Sequence, residues 1–189
     1  MLKSNYQKLP TDWSWDGRFI IYHELDPKTN WDVWVLPMTG SDKGKPFLAL
    51  GTKASETAGT LSPDGRWLAY ASDESGRFEV WVQSFPGGGG KRQVSNAGGG
   101  GPRWRRDGRE LFYYSGDGKL MSAQVRRGES FETSSPVPLF EFRAGVAHTR
   151  YAPYAVSRDG QRFLINEVVD LEPNALLTVV VNWAAELKK

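Results

Sequence analysis

Residue types able to do chemistry are sparse in this chain, and the most suggestive are four carboxylates that recur with the same neighbours. Asp16-Gly17-Arg18, Asp64-Gly65-Arg66, Asp107-Gly108-Arg109 and Asp159-Gly160-Gln161 lie at intervals of roughly 40 to 50 residues. Paired carboxylates act as acid and base only when held within about 5 to 10 Å of each other. Each of these four falls in an equivalent turn of a separate repeat, so they are expected far apart. Their role is then structural: Asp accepts hydrogen bonds from the turn backbone, and Gly supplies the positive φ that a tight turn requires. Asp26, Asp73, Glu74 and Asp117 occupy other turns, and none has the spacing of an EF-hand loop.

Other chemistry is thinner still. The two histidines are His23, which continues a strand through Tyr22 and is expected to be partly exposed, and His148. His148 and Arg150 lie in the loop before the last repeat and are candidates to line a funnel. Arg103, Arg105 and Arg106, with Arg109, Arg126 and Arg127 nearby, form the densest charge. As a strip they could grip carboxylates or phosphates; the competing reading is a solvated face paired with Asp107 and Glu110. The Gly-x-Ser-x-Gly elbow of a serine hydrolase is absent. The runs Pro86-Gly87-Gly88-Gly89-Gly90 and Gly98-Gly99-Gly100-Gly101 lack the Lys-Ser/Thr and following helix of a phosphate loop, and read as flexible linkers. No catalytic residue, metal ligand set or cofactor is assigned.

The elements that must position these residues are short strands. Aromatic residues make up 13% of the chain, and 21 Gly with 11 Pro punctuate it, which favours strands and tight turns over long helices. A net charge of +2 gives no field that calls for nucleic acid, and the lack of cysteine removes disulfides and thiolate sites. Met1 to Tyr6 lacks the apolar stretch of a signal peptide, and the tract from Ala175 to Val181 is too short to cross a membrane, so a soluble chain is expected.

Each repeat carries the same order. A short strand ends at Trp13-Ser14, Leu61-Ser62, Trp104-Arg105 or Val156-Ser157; the Asp-Gly turn follows; then comes an aromatic-rich strand. A third strand is expected at 31–36, 78–83, 120–125 and 176–183, and a weaker edge strand near 46–50, 91–95 and 137–142. Tyr22, Tyr70, Tyr113, Trp34 and Trp81 recur at matching positions and are expected to pack between units.

The segment Leu61-Ser62-Pro63-Asp64-Gly65-Arg66-Trp67-Leu68-Ala69-Tyr70 resembles the WD40-like (PD40) repeat of TolB-like β-propellers. More narrowly, Arg77 to Val82, Pro102 to Gly108 and Thr178 to Trp183 are similar to the C-terminal propeller region of acidobacterial-type serine/threonine protein kinases. The kinase motifs themselves are absent. The resemblance implies an all-β fold of four four-stranded propeller blades, at about 10–50, 57–95, 101–142 and 151–183. Together they would make one partial domain over 1–189, within a ring of six or more blades. It further implies a periplasmic or extracytoplasmic parent. The function expected is a non-catalytic scaffold that binds a protein, peptide or small ligand. Alternatives are a sensory region detached from a kinase, or a propeller hydrolase or lyase. Open blade faces would favour self-association or further blades.

Overall fold

The computed structural model describes residues 6–126, 128–144, 151–168 and 179–181, and these are all-β. Blade 1 comprises β1 (Lys8–Trp13), β2 (Phe19–Asp26), β3 (Asn30–Pro37) and β4 (Phe47–Leu50), and blade 2 comprises β5 (Glu56–Leu61), β6 (Trp67–Ser72), β7 (Glu79–Ser84) and β8 (Arg92–Gln93). Blade 3 contains β9 (Gly99–Trp104), β10 (Glu110–Ser115), β11 (Lys119–Arg126), β12 (Glu132–Thr133) and β13 (Val137–Glu141). Blade 4 contains β14 (Tyr154–Val156), β15 (Arg162–Ile165) and β16 (Val179–Val181). Within each sheet, strands pair antiparallel in chain order, so hairpins alone build a blade. In blade 3 the outer edge of β11 is shared by β12 and β13, one segment more than the sequence suggests.

The innermost strands β1, β5, β9 and β14 lie side by side and bond across blades. Thr11 Oγ1 donates to Gly59 O at 2.7 Å, and the Asp12 carboxylate accepts from Thr60 Oγ1 and Leu61 N–H, each at 2.9 Å. Trp104 Nε1 donates to Thr60 O at 3.3 Å, and the Tyr154 hydroxyl donates to Gly101 O at 3.0 Å. Three apolar clusters fill the junctions. Ile21, Val33 and Val35 of blade 1 meet Leu61, Leu68 and Tyr70 of blade 2. Ala69, Val80 and Val82 then meet Trp104, Leu111 and Tyr113, while Phe112, Tyr114 and Leu120 meet Tyr154, Phe163 and Ile165. Blades 2 and 3 thus send one face of period-two side chains forward and the other back, which is why their central strands are apolar on both sides.

A bulge recurs in the inner strands that the sequence did not announce. Opposite Tyr22, Tyr70 and Tyr113, two inner-strand residues face one partner: Pro10-Thr11, Ala58-Gly59 and Gly101-Pro102. Ala58 and Gly101 take the left-handed conformation there, at φ 52° and 57°.

This corrects the reading of 98–101 as a linker. Gly99 to Gly101 are buried residues of β9, and a Cβ on Gly101 would stand 2.7 Å from the Ala152 Cα. Glycine is needed where two backbones approach this closely, a demand that composition alone presents as loop.

Candidate functional site

The four Asp-Gly turns have one construction. Gly17, Gly65, Gly108 and Gly160 sit at φ 71° to 73°, and the carboxylates of Asp16, Asp64, Asp107 and Asp159 accept the N–H two residues on at 2.9, 3.1, 3.0 and 3.0 Å. In three turns a serine completes the knot: Ser14, Ser62 and Ser157 donate to the Asp, and each Oγ accepts the N–H of the next strand at 2.9 Å. The Arg18 N–H and the Ser14 hydroxyl hold Asp16 at a pKa of about 2. Asp107 is lowered chiefly by the Arg105 guanidinium, and Asp159 by the Ser157 hydroxyl and the Gln161 N–H. Each carboxylate is occupied by hydrogen bonds within its own blade.

The turns nest against one another on one rim, with Gly65 near Arg18, Gly108 near Pro63 and Gly160 near Arg105. Arg105 stands where the other turns carry serine. Its guanidinium donates to both oxygens of Asp107, at 2.9 and 2.6 Å, and to Glu110 at 3.0 Å. Arg106 lies over the Trp15 ring, 4.3 Å from its centroid, so the third turn reaches back to the first. Arg103 donates to the carbonyl of Pro102 at 3.2 Å. The three arginines therefore have three different sets of partners. Arg126 stands 3.9 Å from Glu132. His148, Arg150 and Arg127 lie outside the described residues.

His23, expected to be partly exposed, is fully buried. Trp31 packs edge-on at 4.7 Å, Tyr151 stands 6.1 Å away from across the blades, and the Ala58 N–H points at Nδ1 at 3.4 Å. Its partners come from tertiary packing, which strand position does not reveal.

On the opposite rim, carboxylates line the blade junctions. Asp32 Oδ2 accepts from Thr29 at 2.7 Å, and Glu56 accepts the Thr52 hydroxyl at 2.5 Å. Burial raises the pKa of both above the ordinary carboxylate range against these hydrogen bonds. Among the described residues, no group of three or more His, Asp or Glu is placed to hold a metal ion.

One concavity lies on the Asp-Gly rim where blades 1 and 2 meet. It has a volume of about 550 Å³, and Phe19, Phe47, Pro37, Pro46 and Pro86 line it together with Arg18, Asp42 and Lys45. Phe85 packs against both lining rings, edge-on to Phe19 at 5.4 Å and stacked on Phe47 at 6.2 Å. Arg18 lies over the Phe19 ring at 5.4 Å and bonds Asp16 at 2.6 Å, while Lys45 stands 3.5 Å from Asp42 in an exposed pair. A smaller cleft of about 320 Å³ follows between blades 2 and 3, where Arg66 lies over Trp67 beside Asp64, Asp107 and Arg126. The first cleft is an apolar slot edged by charge, suited to an inserted side chain and a flanking ionic group, whereas the second is lined mainly by polar and charged groups. Sequence reading assigned Phe19 and Phe47 to ordinary strands; the available signal was the prolines at 37, 46 and 86 around them.

No family model matches the chain, and neither does any curated protein. Solved structures do. TolB from Acinetobacter baumannii superposes with a TM-score of 0.69 at 18% identity, over 96% of this chain and 42% of that one. A putative TolB from Agrobacterium tumefaciens gives 0.58 at 17% identity, over 74% of this chain and 51% of that one. A puromycin-hydrolyzing peptidase of Mycobacterium tuberculosis gives 0.59 at 21% identity, over 85% of this chain and 28% of that one. The chain thus spans about half or less of the length of each neighbour. Among the described residues no helix is long and apolar enough to cross a membrane. Four antiparallel sheets stacked through repeated apolar faces give this chain the fold of a TolB-like β-propeller.

Proposed function

We propose that this chain is a non-catalytic binding module that takes a protein or peptide segment into the cleft between blades 1 and 2. The cleft itself carries the reading. Its volume lies in the range of ligand sites, its floor is aromatic and proline, and Arg18 and Lys45 stand at its edge. Lys45 and Asp42 are held only by a solvent-screened pair, so either can exchange its partner for a charged group of the ligand at little cost. An apolar side chain would enter between Phe19 and Phe47, and an adjacent carboxylate would meet Lys45. The carboxylates of the Asp-Gly turns are committed to backbone N–H groups and support a structural role. The test is selection from a random peptide pool, followed by affinity measurement on wild type and Phe47→Ala. Loss of about 1.5 to 3 kcal/mol of apolar contact weakens binding roughly tenfold to a hundredfold. Unchanged affinity for a folded Phe47→Ala protein contradicts the proposal.

A further inference from the structure

Arg18 and Arg66 hold equivalent positions, each two residues beyond the aspartate of its turn, yet they are used differently. Arg18 folds back on its own turn, with Nε 2.6 Å from Asp16 Oδ2. Arg66 makes no such pair. Asp64 Oδ1 accepts the Ser62 hydroxyl at 2.6 Å and the Arg66 backbone N–H at 3.1 Å, and the Arg66 guanidinium turns away across the junction. There Nη2 donates to the Gly128 carbonyl of blade 3 at 3.2 Å, with the guanidinium 5.7 Å from the centroid of the Trp67 ring.

The blade 3 loop that receives it is pinned by packing. Phe131 is buried against Trp67 at 5.4 Å and Trp104 at 6.0 Å, three residues beyond Gly128. Arg126 stands on the same wall of the cleft, and its carboxylate neighbour among the described residues, Glu132, lies 3.9 Å away in an exposed, solvent-screened pair. The acidic groups of the cleft are already engaged, Asp64 as above and Asp107 by the Arg105 guanidinium and the Arg109 N–H. The cleft of about 320 Å³ thus holds two arginines with N–H groups to spare beside carboxylates that are taken up by their own turns.

We infer that this cleft between blades 2 and 3 is a second binding site, distinct from the apolar one, and that it takes a carboxylate between Arg66 and Arg126 beside the Trp67 ring. A guanidinium donates in the plane that a carboxylate accepts in, and the anchored Arg66 loses little freedom on binding. Phosphate suits the site less well, because Asp64 and Asp107 line the same cleft and repel a dianion more strongly than a single carboxylate.

The test follows the Trp67 indole N–H by NMR at neutral pH and constant ionic strength. Three probes are added in turn: N-acetylaspartate N-methylamide, whose carboxylate is a side chain; N-acetylalanine, whose carboxylate is a chain terminus; and inorganic phosphate. At least one of the two carboxylates should give a saturable shift with a midpoint at roughly millimolar concentration, and the better of them identifies the source. Arg66→Gln and Arg126→Gln should each weaken it by about tenfold. Arg126 makes no printed bond to blade 2, so its variant reads the loss of charge without loss of a blade contact, and melting curves check that both variants stay folded. Phe47→Ala changes the other cleft and should leave the shift as it is, so the outcome is independent of the peptide site proposed there. No saturable shift with either carboxylate overturns the inference, as does binding that survives both arginine substitutions or phosphate binding tighter than both carboxylates.

Discussion

Gly101 offers a quantitative handle on the inner strands. Replacing it with alanine places a Cβ 2.7 Å from the Ala152 Cα and 3.0 Å from the Tyr151 carbonyl, both of them backbone atoms that cannot swing aside. The left-handed φ of 57° costs a non-glycine residue about 1 to 2 kcal/mol. Stiffening the unfolded chain returns about 0.4 to 1 kcal/mol. Overpacking of the junction adds about 1 to 3 kcal/mol, so Gly101→Ala should destabilise by roughly 2 to 4 kcal/mol. Gly90→Ala is the control: φ there is 63° but nothing lies within 4 Å, so only the conformational cost applies, about 1 kcal/mol or less. Gly87→Ala, with neither constraint, should be neutral or slightly stabilising. Urea unfolding of the three variants gives the comparison directly. If Gly101→Ala costs no more than Gly90→Ala, the close approach of β9 to blade 4 is wrong and the glycine run is a linker after all.

Two other substitutions probe the joints between blades. Asp12→Ala strips the acceptor from Thr60 Oγ1 and from the buried N–H of Leu61; two charge-assisted bonds lost at a buried junction should cost about 2 to 4 kcal/mol in urea unfolding, with Asp12→Asn retaining part of it. Glu56→Gln should change the pH dependence of stability. The folded-state pKa of Glu56 is raised by burial, so ionisation favours the unfolded chain. Wild type then loses stability as pH rises from the ordinary glutamate value of 4.5 toward the higher folded value. Relative to wild type, the variant should gain as pH rises through that window, and a difference independent of pH between 4 and 8 counts against the buried, ionisable assignment.

The legible part of the fold is the part encoded locally. A turn such as Ser62-Pro63-Asp64-Gly65-Arg66 contains its own donors, acceptors and left-handed glycine, so its type and spacing announce the blades without tertiary knowledge. The competing role for Arg105 was visible for the same reason, since Asp107 and Glu110 lie within five residues of it. What stayed hidden depends on contact between blades. His23 reads as half-exposed until Tyr151 and Trp31 close over it, and Gly99 to Gly101 read as loop until Ala152 arrives beside them. The cleft is hidden in the same way, because Pro86 comes from one blade and Phe19 and Phe47 from another.

The most direct test of the binding proposal is an amide chemical-shift map of the protein titrated with its selected peptide. Perturbations concentrated on Arg18, Phe19, residues 39 to 42, Lys45 and Phe47 are predicted, since these line the cleft between blades 1 and 2. Saturable perturbations confined to the opposite rim, around Thr52 to Glu56 and Asp73 to Arg77, would place the binding surface elsewhere and contradict it.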